Sequence, residues 1–271
     1  MSFQPVVPMS GLAGWRFLQR TNDAQQAAFQ NASTIKSDAD YFRENIGDVQ
    51  TAEQLVADRR LLSVALGAFG LGDDINNKFF IRRILEDGIV KSDALANRLA
   101  DERYKDLSEA FGFGDLPIAR TQLTNFAEEI VDRFHQKQFQ IAVGNQDNDL
   151  RLALNTESAI TEIASEEVSN DTKWFRIMGN PPLRQVVETA LGLPNSFSQL
   201  DLDQQLNVLK DRTASQFGSE DVSQFLESDQ VDKLVQRFLL RAQVSSSEIN
   251  SGSTALTLIQ SMPRLTPPLF G

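Results

Sequence analysis

Ala68-Phe69-Gly70-Leu71-Gly72-Asp73 recurs almost unchanged as Ala110-Phe111-Gly112-Phe113-Gly114-Asp115. A looser copy is Ala190-Leu191-Gly192-Leu193-Pro194-Asn195, and Phe217-Gly218 reads as a degenerate fourth. Each copy follows one apolar-periodic stretch and precedes another. Glycine at a helix end reaches the left-handed conformation that closes a C-terminal cap. The apolar residue after it folds back on the last turn, and Asp or Asn starts the next helix. Each copy therefore predicts a helix–turn–helix corner, built on Phe69, Gly70 and Gly72, on Phe111, Gly112 and Gly114, and on Gly192 and Pro194. The first three copies begin 42 and 80 positions apart, which is too irregular for a regular solenoid. The predicted fold is all-α, with irregular stacked helical hairpins in an elongated or bilobed body.

The flanking stretches agree with this. Thr51 and Gln54 form a capping-box start for a helix carrying Leu55, Val56, Leu62, Ala65 and Leu66. Asp38 is read as the cap of a short helix through Phe42 and Ile46, and Asp93 as the start of one running to about Leu99. Ala119 to Ile141 is the longest periodic stretch, with Leu123, Phe126, Ile130, Phe134 and Ile141 as its apolar stripe. Pro181 and Pro182 suit the first turn of the helix that ends at Leu191. No alternating run reaches six residues, and no Asn-Gly or Asp-Gly turn occurs.

Composition narrows the chemistry. The 271 residues include no Cys and one His, and the net charge is −11. Disulfides, thiolate metal sites, a Cys nucleophile and a multi-His metal site are excluded. An acidic chain lacks the basic footprint that phosphate backbones require, so nucleic acid is not an expected partner. No apolar run approaches the length of a membrane span. Gly67 to Gly72 has the wrong order for a phosphate-binding fingerprint and follows a helix, so it reads as a cap. His135, within a charged segment, is expected to be solvated or capping. The pairs Asp73/Asp74 and Asp201/Asp203 fall at helix starts, where carboxylates answer free amides. Lys78, Arg82 and Arg83 are expected to pair with neighbouring acids. No catalytic residue, metal ligand or cofactor site emerges, and the chain is read as non-enzymatic.

Three segments are distinguished. Residues 1–50 carry a weakly amphipathic helix from Trp15 to Phe29, residues 51–244 form the helical body, and residues 245–271 are a Ser- and Pro-rich tail. In the tail, Ser245 to Ser253 is expected to be a linker and Ala255 to Met262 a short apolar helix. Trp15, Leu18, Leu256 and Ile259 are the candidate partner-binding residues; the alternative for the first helix is that it packs on the body. Removal of residues 1–30 or 245–271 is expected to leave the fold intact.

Tyr41-Phe-Arg-Glu-Asn-Ile-Gly47, Ala57-Asp-Arg-Arg-Leu-Leu62, Phe79-Phe-Ile-Arg-Arg-Ile-Leu-Glu86 and Leu99-Ala-Asp-Glu-Arg-Tyr-Lys105 occur in order. Trp174-Phe-Arg-Ile-Met-Gly-Asn-Pro-Pro-Leu-Arg184, Leu200-Asp-Leu-Asp-Gln-Gln205 and Phe238-Leu-Leu-Arg241 follow. With these motifs the chain resembles the bacterial family called domain of unknown function 1217, whose members occur mainly in alphaproteobacteria, often encoded among flagellar genes. The resemblance implies a role in flagellar structure or assembly, supplies no catalytic residues, and makes other flagellar proteins or self-association the expected partners. Met1–Ser10 has no Lys or Arg, so a cleaved Sec signal is not expected, and the expected location is the flagellum or the medium. The alternative is a cytoplasmic chaperone or regulator of a flagellar export substrate.

Overall fold

The computed structural model describes residues 3–261, with side chains through residue 244. Among the described residues it is all-α, with no strand. Its helices are α1 (Gly11–Gln30), α2 (Ser33–Asn45), α3 (Ala52–Ala57), α4 (Arg59–Ala68), α5 (Lys78–Asp87) and α6 (Arg103–Phe111). They continue with α7 (Phe126–Gly144), α8 (Asn148–Ser165), α9 (Asn170–Met178), α10 (Pro181–Leu191), α11 (Leu202–Phe217) and α12 (Ser228–Ser261).

The caps explain most boundaries. Thr51 and Gln54 form the full capping box at α3. Asp58, Asp147, Ser169, Asn180 and Asp201 cap α4, α8, α9, α10 and α11 by accepting from first-turn amides. Gly70, Gly112, Gly192 and Gly218 all have positive φ and lie just past the ends of α4, α6, α10 and α11. A short 3₁₀ turn then leads into the next α-helix in each case.

Two hydrophobic cores result. The first gathers Phe42, Leu55, Leu62, Leu66, Ile81, Leu85 and Phe111 from α2–α6. The second gathers Trp15, Leu18, Trp174, Leu183, Val187 and Phe238 from α1 and α8–α12. Helix α7 belongs to both. Its first half buries Phe126, Ile130, Val131 and Phe134 in the first core, and its second half buries Phe139 and Val143 in the second. The two lobes also meet at a backbone hydrogen bond of 3.1 Å from the Glu102 amide to the Gly179 carbonyl. Lys173, buried beneath the second core, donates to the Ala164 carbonyl in the last turn of α8 at 2.7 Å and to Ser223 Oγ at 2.9 Å. The negative end of the α8 dipole favours a cation there.

Several expectations are corrected. Helix α2 starts at Ser33 rather than Asp38, and Asp38 instead pairs with Arg60 at 3.2 Å. Only a 3₁₀ turn, Leu95–Arg98, forms in the stretch after Asp93. The Asn97 amide donates to the Ile89 and Lys91 carbonyls there, a side-chain competitor to helical bonding. Residues 119–125 are not part of α7, because the Thr121 hydroxyl donates to the Val49 carbonyl at 2.5 Å and holds the segment as a connection. Leu123 is therefore exposed. The backbone of α12 is helical across Ser245–Ser253, where a linker was expected. Serine tolerates a helix interior, and no proline intervenes before Pro263.

The segment before residue 51 is not separate from the body. Trp15 and Leu18 are each 1% exposed within the second core, and Phe42 and Ile46 lie in the first. Trp15 and Leu18 are thus packing residues and present no free face to a partner. Their burial argues against the expectation that residues 1–30 could be removed without loss of fold. Leu256 and Ile259 lie outside the residues whose side chains are described.

Candidate functional site

A cleft runs between the two lobes, floored by α7 and walled by α4 and α6 on one side and α8 on the other. It has two recesses, of about 760 Å³ and about 520 Å³, which share Phe69, Asp106, Arg133, Ala159, Glu162 and Asn180. Phe69 is buried at the junction, with the Arg133 guanidinium 5.6 Å from its ring centroid.

The larger recess is acidic. Glu102, Asp106, Glu109, Glu129, Glu162 and Glu166 line it together with Arg120, Arg133 and Arg176. Arg133 pairs with Glu162 at 2.9 Å and Arg176 with Glu166 at 2.7 Å. The Asp106 carboxylate makes none of the ion pairs or hydrogen bonds found among the described residues. Burial, reinforced by Glu162 and Glu102, pushes its carboxyl up to about 6. No group of three or more His, Asp or Glu side chains among the described residues is placed to hold a metal ion.

The smaller recess is lined by cations and amides. Arg103 reaches it from α6, held by Asp101 at 2.7 Å and by the Gly70 carbonyl, which accepts from its Nη1 at 2.6 Å. Lys137 on α7 donates to Asn155 Oδ1 on α8 at 2.6 Å. Burial pulls the Lys137 ammonium down to about 8, against the opposing pull of Glu162. Arg151, one turn before Asn155, donates to Asn148 Oδ1 at 2.7 and 2.9 Å. The Arg151 stem lies where a side chain at Gly144 would stand, so α7 and α8 approach closely at this point.

Of the corner residues singled out in the sequence, Phe69, Gly70 and Gly72 line the smaller recess. Phe111 is wholly buried, and Gly112, Gly192 and Pro194 serve helix ends away from the cleft. Gly114 packs its backbone against Glu86 and Gly88, leaving no room for a Cβ. His135 is buried, not solvated, and burial lowers its pKa. Arg82 pairs with Glu53 and Glu86, and Arg83 with Asp87, as expected. Lys137, Arg151 and Asn155 were not anticipated. The one visible signal was Lys137 standing three residues after Phe134, on the apolar stripe of α7.

The all-α fold is shared beyond this chain. The model of the family described as Protein of unknown function (DUF1217) matches residues 68–231, and the chain belongs to that family. The fold is similar to the crystal structure of protein AGR_C_984 from Agrobacterium tumefaciens. The TM-score is 0.73 at 24% identity, with 89% of this chain and 99% of that one covered. At that identity the likeness is one of fold. No curated protein matches the chain. No helix among the described residues is long and apolar enough to cross a membrane.

Proposed function

We propose that the chain is a non-enzymatic protein of the bacterial flagellum, an exported structural component or assembly factor that works through helical protein–protein contacts. The flagellar assignment rests on the family resemblance. The contact mode rests on one observation, a set of bare apolar side chains on the first lobe. Phe79, at the start of α5, is 84% exposed, and Val90 and Ile118 are exposed as well. Asp115 accepts from the Ile89 and Val90 amides at 2.7 and 3.1 Å, which draws the loop carrying Leu116 and Ile118 against the end of α5. Val90, Leu116 and Ile118 thus lie at the end of α5 and Phe79 at its start, and exposed apolar groups of this kind are a feature of protein-binding surfaces. With Trp15 and Leu18 buried in the core, these exposed residues around α5 are the proposed contact groups in place of the first helix.

The test is fractionation of motile cells, with immunoblotting of sheared flagella, medium and cytosol, in strains carrying the natural protein or Phe79→Asp. Signal in the flagella or medium for the natural protein, with defective swimming for Phe79→Asp, is the expected result. Normal swimming of a deletion strain overturns the flagellar reading. Signal confined to the cytosol replaces the structural role with that of a chaperone or regulator of an export substrate.

A further inference from the structure

The smaller recess contains cations that the protein itself does not neutralise. Arg103 is paired with Asp101, and Arg133 with Glu162. Lys137 and Arg151 have only the neutral amides of Asn155 and Asn148 as polar partners. Asn155 is 5% exposed, and its Nδ2 donor has no hydrogen-bond partner. A buried donor left unmade costs roughly 1–3 kcal/mol, and a partly buried ammonium without a carboxylate is destabilising as well. These costs fall together at one place, in a chain whose net charge is −11. The remaining acids of the recess are Asp73, Asp106 and Glu162; Glu162, at the junction with the acidic recess, acts on Lys137 from there without pairing with it, and none of the three acts on Arg151.

We propose that this recess is a binding site for a small polar molecule carrying a phosphate or carboxylate group, its oxyanion held by Lys137 Nζ, the Arg151 guanidinium and Asn155 Nδ2. Arginine presents two parallel donors to such a group, and lysine adds a point charge. Gln138 and Gln140 on α7 and Asn145 just past its end line the remaining wall with amides suited to hydroxyl groups. A recess of about 520 Å³ is of the size that accommodates a metabolite rather than a protein segment. The site is independent of the apolar face on the first lobe, so it stands or falls separately from the flagellar reading.

The full chain is titrated calorimetrically with pyrophosphate, citrate and adenosine diphosphate at low salt. Saturable one-to-one binding by at least one probe is expected, weakening as salt is added. Pyrophosphate binding without citrate binding identifies phosphate as the recognised group, and the reverse identifies carboxylate. At pH 8 binding takes up protons, because the anion restores the charge of Lys137. Lys137→Met and Arg151→Gln each weaken binding at least about tenfold, equivalent to about 1.4 kcal/mol. Asn155→Asp, which gives Lys137 a carboxylate of its own, abolishes binding while leaving the chain folded. Thermal melts of the three variants confirm that loss of binding is not loss of structure. Absence of saturable binding by all three probes up to about 10 mM, a Kd above the millimolar range, overturns the proposal. Binding that survives Asn155→Asp and Lys137→Met overturns it equally.

Discussion

The carbonyl oxygen of Gly70 accepts a hydrogen bond of 2.6 Å from the Arg103 guanidinium. The left-handed corner that closes α4 is thereby tied to the first turn of α6 and to the wall of the cleft. Gly70 has φ +69°, and a Cβ there would meet only the Arg103 guanidinium, at ordinary contact distance. Substitution therefore costs backbone strain and little else. Gly70→Ala is expected to destabilise the protein by about 1 kcal/mol. Gly14→Ala is expected to cost more, because a Cβ at Gly14 would run into the Met9 carbonyl oxygen. Urea denaturation of both variants checks the order; equal losses would show that the close approach at Gly14 relaxes.

Trp15 is expected to be among the most sensitive positions. It is 1% exposed in the second core, and truncating a buried aromatic typically costs about 3–5 kcal/mol. Trp15→Ala should lower the thermal midpoint by several degrees, and a chain beginning after residue 30 should lose near-ultraviolet circular dichroism from Trp174. A truncated chain with native dichroism and an unchanged melting curve would contradict this packing.

Asp106 gives a pH signature. Its folded-state pKa of about 6 lies above the 3.8 of an unperturbed carboxyl, so between these values the folded state binds the extra proton. Stability should therefore fall as pH rises from about 4 to about 6 and show no further contribution from this group above it. Asp106→Asn should remove that slope and stabilise the protein at pH 7 by on the order of 1–2 kcal/mol. Denaturant melts of both proteins across this range read the difference directly.

The capping box at α3 offers a clean local test. Thr51 Oγ1 accepts from the Gln54 amide at 3.2 Å, and Gln54 Oε1 accepts from the Thr51 amide at 3.1 Å. Thr51→Ala should cost about 1 kcal/mol, and Thr51→Ser should restore most of it. Both are surface changes, so calorimetric midpoints suffice to check them.

The features legible in the sequence are those encoded within a few residues. The capping box at Thr51, the Asp201 cap, the prolines opening α10 and the glycines ending α4, α6 and α10 each depend on near neighbours alone. Residues whose state is set by distant groups were misread. Leu123 fits the stripe of α7 by spacing, but a hydrogen bond from Thr121 to Val49, 72 positions away, takes its segment out of the helix. His135 looked solvated because its neighbours are charged, yet it is buried. Trp15 has few apolar companions in its own helix because its companions lie on α7, α8 and α12. The cleft was illegible for the same reason, since Arg103, Lys137 and Arg151 converge from three helices separated by long stretches of chain.

The sharing of α7 between two cores, with α1 in the later one, sets an order of assembly during synthesis. The first core draws on an unbroken stretch from α2 to the first half of α7, so it can close while the ribosome is still making α8. Helix α1 emerges first yet packs on α7, α8 and α12. Close to 200 residues separate its end from the start of α12, about 10–40 s at ordinary translation rates. During that interval the Trp15 face can be covered only in part, by α7 and α8, so the earliest of the described helices is among the last to complete its packing.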